Sequence, residues 1–333
     1  MIRNSLPKVS IIIVNHNGLE HLKACLDSVL KTEYPNFEII FIDNKSTDNS
    51  VKFVEKSYPS IKIIRNNENL GFGAAANLGI TSSSGKYIAF LNEDVEVDRN
   101  WLTPLVECME SNRNIAVCEG KMLHFFNRKF FDSANGAGRF IDKFGNVFVR
   151  GGEEIDQGQY NKSVKTFYAL TLFRRTIFQE VGLFDTKFFL YYEETDLCWR
   201  IRLKSFEIVY VPSSIIYHKG PKKGKTSSNR SYHFTRNKLM MLIKNYSLKS
   251  LICVFPILLF DLVLGFAVFF IGGDFNRVLN IIKAPFWVVI NFKKIWIDHQ
   301  RIQLSRITPD KEIQSIMIKY NGVLKLLLRK IAS

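Results

Sequence analysis

Four short apolar runs alternate with amphipathic segments over the first hundred residues, and this alternation restricts the fold more than any other feature. The apolar runs are VSIIIV at 9–14, EIIFI at 38–42, IKII at 61–64 and YIAFL at 87–91. Helical spacing or a cap-like start marks the segments between them, at residues 19–31, 47–57 and 72–80. Strands and helices in this order predict an open, mostly parallel α/β sheet with helices on both faces.

Polar side chains follow the end of each predicted strand. They are Asn15, Asp43, Asn66–Asn69 and Asn92–Asp94. In an open α/β sheet, ligands bind beyond the carboxyl ends of the strands. The four polar clusters therefore predict one convergent ligand site at this edge of the sheet.

The remainder of the chain is less regular. Residues 113–165 are rich in Gly and aromatic residues and favour antiparallel strands, and residues 207–211 predict a strand that ends at Pro212. Helical spacing is found at 100–111, 176–182, 194–204 and 232–246.

Two acidic motifs carry possible chemistry. In LNEDVEVD, Asn92 and Asp94 follow a strand end and could hold a hard divalent cation and a ribose, or they belong to a solvated loop. In YYEETDLCWR, the acids Glu193, Glu194 and Asp196 either cap a helix start or supply a general base toward an acceptor hydroxyl.

Further polar residues follow other strand ends. His218 comes after a predicted strand and is either structural or a metal ligand, since imidazole commonly binds metals. Asp43 could accept hydrogen bonds from a base or ribose, and Gly71 allows a ligand to approach the backbone closely. The chain has neither a GxxxxGK[ST] loop nor a GxGxxG sequence after its first strand.

The order of these motifs is specific over roughly residues 7–245. The segments are VSIIIVNHNG, IDNKSTDNS, NLGFGAAANLGI, LNEDVEVD, VGLFDTKFFLYYEETDLCWRIR, IIYHKG and YHFTRNKL. In this order they resemble the family-2 glycosyltransferases, especially a rhamnosyltransferase-like branch. The run DHQRIQLSRITPDKEI is also similar to the tail of that branch. The resemblance implies a GT-A fold and an inverting transfer from a nucleotide sugar, such as dTDP-rhamnose or a UDP-hexose, to a saccharide or lipid-linked acceptor.

The resemblance also assigns roles by position. It implies that Asp94 and His218 bind Mg²⁺ or Mn²⁺ and that Glu194 is the base, with Asp196 as a second candidate and Glu193 beside it. Residues expected to bind or shape the donor site are Asn15, Asp43, Asn44, Asn69, Gly71, Asn77, Asn92, Glu93 and Asp94. Three departures stand out: the family's base is usually Asp where this chain has Glu194, Glu93 replaces a frequent Pro, and YALTLFRR at 168–175 lacks a glycine often found before the arginines.

Charge is distributed unequally along the chain. The net charge is +15, and residues 218–333 contain 20 Lys and Arg against 5 Asp and Glu, so this third holds the whole excess. Such asymmetry suggests an anionic partner. Long aliphatic runs interleave with the basic residues and favour an anionic membrane surface over nucleic acid, which we do not expect as a partner.

Two apolar stretches, 251–273 and 278–297, set the expected organisation. We expect a glycosyltransferase domain at 1–245 and a basic, apolar, helical membrane-associating region at 246–333. Because Asp261 lies mid-segment and Lys flanks both ends, peripheral or monotopic association is favoured over a span or a buried helix. Scattered cysteines and no secretory signal place the catalytic region at the cytoplasmic face.

Three other classes compete with this interpretation. A nucleic-acid-binding protein and a nucleotidyltransferase fit the motifs poorly, the latter because Asn15, His16 and Asn17 stand where a Gly-rich basic loop is needed. A catalytically idle scaffold that binds nucleotide sugar or membrane is permitted by Glu194, although the retained acids and His218 argue against it.

Overall fold

The computed structural model describes residues 6–220 and 230–319. The chain forms two compact units, one of Met1–Arg139 with Val149–Lys222 and one of Phe140–Phe148 with Lys223–Ser333. The predicted domain division at residue 245 stays a prediction, because compactness does not show which part of a chain carries an activity. Most of the basic loop 219–230 and the basic tail from residue 320 lie outside the described residues.

The first unit begins with the predicted strand–helix alternation. Its elements are β1 (Val9–Asn15), α1 (Leu19–Leu30), β2 (Phe37–Asp43), α2 (Ser50–Ser57), β3 (Lys62–Arg65), α3 (Phe72–Ser82) and β4 (Tyr87–Asn92). The pairs β1–β2, β1–β4 and β2–β3 are all parallel. The predicted α/β class with a mostly parallel sheet is therefore confirmed.

The stretch from residue 95 to residue 218 widens the sheet and adds a separate strand pair, β7–β8, most of which belongs to the second unit. Its elements are β5 (Val95–Val97), α4 (Leu102–Ser111), β6 (Ile115–His124), β7 (Arg139–Ile141), β8 (Val147–Val149), β9 (Val164–Lys165), β10 (Leu172–Arg174), α5 (Ile177–Val181), α6 (Glu193–Leu203) and β11 (Glu207–His218). The strand order is β3-β2-β1-β4-β10-β6-β11-β5, with β9 beside β11 and a separate pair β7–β8.

The antiparallel strands expected in residues 113–165 are found in part. Strand β6 pairs antiparallel with β10, and β9 pairs antiparallel with β11, whereas β6 and β11 pair in parallel. Strand β11 does not stop at Pro212 but continues to His218. An irregular register between Val211 and Ile215 accommodates the proline, because a bulge removes the need for its missing N–H.

Apolar contacts fix the helices on the sheet. All seven residues of β1 are buried, and Ile11 and Ile13 belong to the same core cluster as Leu22 and Leu26 of α1. On α3, a Cβ at Gly79 would lie 2.6 Å from Cγ2 of Ile12, so glycine lets α3 approach β1 closely. This packing holds the carboxyl ends of β1, β2 and β4 at one edge.

Apart from most of β7 and β8, the described part of the second unit is helical. Its helices are α7 (Arg230–Asn245), α8 (Leu248–Ile271), α9 (Phe275–Ile290), α10 (Phe292–Ser305) and α11 (Asp310–Ser315). The predicted apolar stretch 278–297 divides into α9 and α10 at Asn291. Among the described residues, α8 is the one helix long and apolar enough to cross a membrane, and only 11% of its most apolar window is buried, with a mean hydropathy of 2.7.

Candidate active site

A cavity of about 470 Å³ lies in the first unit beyond the carboxyl ends of β1, β2 and β4. Its lining includes the predicted site residues Asn44, Asn69, Gly71, Asn92, Glu93, Asp94, Glu193, Glu194 and His218. The strand-end pattern and the later acidic motif therefore meet at one place, as the sequence predicts for a convergent site. The roles of the individual residues stay predictions.

Pairing of β5 with β11 brings Asp94 and His218 together. His218 is in register with Val95, and the backbone N–H of Lys219 donates to the carbonyl of Asp94 at 3.0 Å. His218 Nε2 consequently lies 3.3 Å from Asp94 Oδ2. Oδ1 of Asp94 is buried and has no hydrogen-bond partner. This oxygen is the kind of orphaned buried group that a bound cation satisfies.

Asp132 holds the other side of the imidazole. His218 Nδ1 lies 2.8 Å from Asp132 Oδ2, and the Asp132 side chain is 3% exposed. Burial lowers the pKa of His218, but hydrogen bonds and charge from Asp132 and Asp94 outweigh it and raise this pKa to about 10. Sequence reasoning missed Asp132, because it lies in the irregular stretch where no periodicity marks it.

Asp94 and His218 form a pair of side chains whose chemistry fits a divalent cation. Residues 6–220 and 230–319 hold no cluster of three or more His, Cys, Asp or Glu side chains arranged around a metal position. Asp94 and His218 would supply two ligands, and Mg²⁺ typically binds one or two carboxylates together with substrate phosphates. The pair therefore suits a cation that is completed by a nucleoside diphosphate.

Glu93 lies next to this pair in the cavity wall. Burial, followed by the negative charge of Asp94, raises the pKa of Glu93 to about 7. A Cβ at Gly18 would lie 2.2 Å from Cγ of Glu93, so glycine at that position makes room for the glutamate stem.

The polar residues after β1 and β2 form a connected network. Asn15 Nδ2 donates to Ser46 Oγ at 2.9 Å, and both Asp43 oxygens accept from the Ser46 N–H, the shorter distance being 3.2 Å. Asn15 and Asp43 are buried and do not line the cavity, although Asn15 Oδ1 has no partner. They lie behind the lining residue Asn44, and a direct role toward a donor stays a prediction.

Asn44 and Asn69 shape the loop before α3. Asn44 Nδ2 donates to Asn69 Oδ1 at 2.8 Å, and Asn44 Oδ1 accepts from the N–H of Leu70 at 3.0 Å. Gly71 has a φ of +77°, and a Cβ there would lie 2.1 Å from the carbonyl oxygen of Phe189. Only glycine therefore allows the Gly-rich turn and the 189 loop to meet at the cavity wall.

The two glutamates at the start of α6 are positioned by a strained turn. Tyr191 and Tyr192 both have left-handed φ angles, of 70° and 69°, which are costly for residues with a side chain. Directly after this turn, Glu193 and Glu194 line the cavity. Burial and then the charge of Glu194 raise the pKa of Glu193 well above its usual range, and Glu193 Oε2 is buried without a partner.

Arg139 connects Glu194 to a buried ion pair. Its Nε and Nη2 donate to the two oxygens of Glu119 at 3.1 and 2.7 Å, and its Nη1 lies 3.5 Å from Glu194 Oε1. The guanidinium also lies over the ring of Tyr168, 4.5 Å from the centroid. Burial lowers the pKa of Arg139, but the charges of Glu119, Tyr168 and Glu194 outweigh it and raise this pKa. Sequence analysis missed Arg139 as well.

Two predicted site residues face elsewhere. Asp196 is fully buried, lies 2.9 Å from Arg200 Nε across one helical turn, and does not line the cavity. Asn77 forms a reciprocal pair with the backbone of Phe184, at 2.9 and 3.0 Å, and is also absent from the lining. Each side chain is thus committed to a structural contact. The roles of Asp196 as second candidate base, and of Asn77 in binding or shaping the donor site, stay predictions.

Comparison with known proteins identifies the family. The sequence model of Glycosyl transferase family 2 matches residues 10–182, over half of the chain, and the chain belongs to this family. It is 29% identical over 189 residues to glycosyltransferase AglE of Haloferax volcanii, covering 54% of this chain and 57% of that protein. It is 25% identical over 211 residues to poly-beta-1,6-N-acetyl-D-glucosamine synthase of Staphylococcus epidermidis, covering 63% and 49%.

Other relatives match over shorter stretches. An uncharacterized glycosyltransferase of Escherichia coli K12, YibD, is 34% identical over 119 residues, covering 34% of either chain. The chain thus spans between about a third and three fifths of the length of these three relatives.

Solved structures share the fold. GalNAc-T7 with UDP, GalNAc and Mn²⁺ superposes with a TM-score of 0.57 at 21% identity, covering 71% of this chain and 48% of that one. S. aureus TarS 1-349 in complex with UDP gives a TM-score of 0.51 at 18% identity, covering 78% and 70%. At this identity the likeness shows the fold, and the expected GT-A architecture is confirmed.

Proposed function

We propose that this chain transfers a sugar from a nucleotide-sugar donor to a saccharide or lipid-linked acceptor, with inversion and with a divalent cation. The observation that carries the proposal is the convergence of Asp94, His218 and Glu194 on one cavity in a chain of glycosyltransferase family 2. The order of the sequence motifs supports a rhamnosyltransferase-like branch of the family. We therefore propose a hexosyl donor, either dTDP-rhamnose or a UDP-hexose.

Glu194 is the proposed general base. Its side chain is 18% exposed and lines the cavity, so it can reach an acceptor hydroxyl that enters from solvent. Glu194 takes the hydroxyl proton while the acceptor oxygen bonds to the anomeric carbon from the face opposite the leaving group. The bond from that carbon to the diphosphate oxygen breaks, and the nucleoside diphosphate leaves with the electron pair.

Asp94 and His218 are the proposed cation ligands. Mg²⁺ or Mn²⁺ bound there would neutralise charge that develops on the departing diphosphate. Arg139 contributes by holding Glu194 at the cavity wall through their 3.5 Å contact. Asn44, Asn69 and Gly71 contribute by fixing the loop that lines the donor side of the cavity.

Donor hydrolysis tests this proposal. Detergent-purified full-length protein is incubated with dTDP- and UDP-sugars in Mn²⁺, Mg²⁺ or EDTA, and release of nucleoside diphosphate is followed. We expect release from one donor, abolished by EDTA and by Asp94→Ala, and an inverted anomeric configuration in the first sugar released, read by NMR before mutarotation. A retained configuration, or turnover undiminished in EDTA, contradicts the mechanism. Calorimetry showing that no donor binds contradicts the function itself.

We further propose that the chain works at the cytoplasmic face of a membrane. The exposed surface of α8 supports the association with a membrane. Large apolar side chains of α8 are solvent-exposed, including Ile252, Phe255, Phe260 and Phe270. A soluble core helix buries such a face, whereas an interfacial helix places it among acyl chains. The neighbouring α9 also exposes large apolar side chains, among them Phe286.

The middle of α8 favours lying on the bilayer over crossing it. Burial lowers the pKa of Lys238 in α7, and the negative charge of Asp261, midway along α8, opposes that shift. A spanning α8 would place the Asp261 carboxyl near the hydrocarbon centre, which is costly. An interfacial α8 avoids this cost, while Lys249 and Arg277 meet anionic head groups.

Vesicle flotation tests the membrane proposal. Wild type is expected to float with phosphatidylglycerol vesicles and to be released by high salt or carbonate, whereas Phe255→Ser with Phe260→Ser loses most of the floating fraction. Phe126→Ser is the matched control, because Phe126 is 75% exposed in the first unit. Resistance to carbonate would show a spanning helix, and stronger binding to duplex DNA than to vesicles would support the nucleic-acid alternative.

A further inference from the structure

The carboxylate of Asp132 is fixed by its own turn before it meets His218. Its Oδ1 accepts from the N–H groups of Ala134 and Asn135 at 3.0 and 2.9 Å and from Asn135 Nδ2 at 3.1 Å. The turn is tied to β6 on both sides, because Asp132 N–H donates to the Met122 carbonyl and Met122 N–H donates to the Gly136 carbonyl, each at 3.0 Å. Oδ2 is thus left to point in one defined direction.

That direction is the imidazole of His218. Strands β6 and β11 are in parallel register at His124 and His218. The Asp132 turn is hydrogen-bonded to β6, and His218 lies on the neighbouring strand β11. Nδ1 of His218 lies 2.8 Å from Oδ2 of Asp132, and Nε2 lies 3.3 Å from Asp94. When Nδ1 carries its hydrogen toward Asp132, the lone pair of a neutral ring lies on Nε2, on the side of Asp94.

We propose that Asp132 is a positioning residue that presents Nε2 of His218 to a divalent cation beside Asp94. This inference rests on the metal use proposed above. Asp132 is not itself placed to bind the cation, because its Oδ1 already accepts three hydrogen bonds and its Oδ2 faces Nδ1, the nitrogen remote from Asp94. A carboxylate that accepts from the second nitrogen of a ligating histidine fixes the ring and strengthens it as a donor.

A purely structural role for Asp132 is the alternative, and the chain offers a matched control for it. Asp142 in the second unit is also buried, and its Oδ1 accepts from the N–H groups of Phe144 and Asn146 at 2.8 and 3.0 Å. Its Oδ2 accepts from Asn146 Nδ2 at 2.9 Å rather than from a histidine. Asp142→Asn therefore perturbs a similar turn while leaving the cation site untouched.

The test measures Mn²⁺ affinity in the presence of UDP, by electron paramagnetic resonance of free Mn²⁺, on the full chain. Loss of such an outer carboxylate typically weakens metal binding 10- to 100-fold. We expect Asp132→Asn to weaken Mn²⁺ binding by about this factor and Asp142→Asn to leave it within about twofold. In a His218→Ala background, adding Asp132→Asn should cost about nothing more, because Asp132 acts through His218.

The outcomes separate this inference from the proposed function. If wild type binds Mn²⁺ and Asp132→Asn binds it equally well, the inference is wrong and the metal site stands. If the losses of Mn²⁺ affinity caused by Asp132→Asn and by His218→Ala multiply in the double variant, Asp132 acts independently of His218 and the inference is again wrong. If wild type with UDP binds no Mn²⁺, both the metal use and the inference fail.

A second measurement does not depend on the folding of an Asp132 variant. Selective ¹⁵N-histidine labelling of wild type with Mg²⁺ and UDP, assigned by difference from His218→Ala, reads the two ring nitrogens of His218 directly. We expect a protonated Nδ1 and an unprotonated Nε2. The opposite tautomer would overturn the inference, since Nε2 could not then face the cation.

Discussion

Replacing Arg139 with methionine removes one partner of a buried ion pair in the wall of the cavity. The side chains of Arg139 and Glu119 are 5% and 2% exposed and share two hydrogen bonds. Removal of one member of such a pair typically costs about 3–5 kcal/mol, because the remaining charge stays buried without compensation. For a unit of this size, that loss corresponds to a fall of roughly 6–20 °C in the unfolding temperature.

Urea unfolding at pH 7.5 measures the loss, and two variants serve as controls. Arg139→Met with Glu119→Gln leaves no unpaired buried charge and should recover more than half of the lost free energy. Lys165→Met removes the exposed partner of Glu207, at 61% exposure, and should cost less than about 1 kcal/mol. The reasoning is refuted if Arg139→Met costs no more than Lys165→Met, or if the double variant is as unstable as the single one.

The pH dependence of the same variant has a defined sign. Burial raises the pKa of Glu119, and without the guanidinium nothing in the pair opposes that shift. In native Arg139→Met, Glu119 then keeps its proton above the ordinary carboxyl pKa, whereas in the unfolded chain Glu119 loses it there. The free energy of unfolding of the variant therefore falls as pH rises from the unfolded pKa of Glu119 to its raised folded pKa. The deficit relative to wild type should be smaller at pH 5 than at pH 8, and an equal deficit at both values would contradict this account.

Three further substitutions separate catalysis from architecture. Glu194→Gln should lower turnover by about 10²- to 10⁴-fold and keep donor affinity within a few-fold by calorimetry; equal losses would count against the base assignment. Gly71→Ala should lower the unfolding temperature and donor affinity because of its 2.1 Å clash, whereas Gly273→Ala, with a φ of +71° and nothing within 4 Å, isolates the backbone strain. Asp196→Asn should destabilise the unit by weakening its pair with Arg200 and leave the donor dissociation constant unchanged; a selective loss of turnover would favour Asp196 over Glu194 as the base.

Local patterns were sufficient to predict the parallel first part of the sheet and several residues that line the cavity. Strand periodicity placed β1, β2, β3 and β4, and a polar residue after a buried parallel strand lies at the ligand-binding edge for geometric reasons. Asn44, Asn92 and Asp94 line the cavity accordingly. Asp43, also at a strand end, is buried and does not line the cavity, because a strand end fixes the position of a residue and not the direction of its side chain.

The residues that support Glu194 and His218 could not be predicted this way. Arg139 and Asp132 come from the stretch after β6, where chain direction changes within a few residues and no helical or strand period persists. Their partners Glu119, Glu194 and His218 are 20, 55 and 86 positions away in sequence. Such contacts depend on strand pairing across the sheet, which a single sequence does not encode locally.

The wrong end of β11 shows why long-range pairing decides this site. A strand stopped by Pro212 would leave His218 in a loop, yet β11 continues because its register shifts between Val211 and Ile215. Gly120 on β6 makes the shift possible, since a Cβ there would lie 2.6 Å from Oγ of Ser214. A glycine inside a strand often marks such a bulge, so Gly120 read together with Pro212 is a sequence signal for the irregular register. The contact between Asp94 and His218 therefore depends on a small residue two strands away from Asp94 in the sheet order.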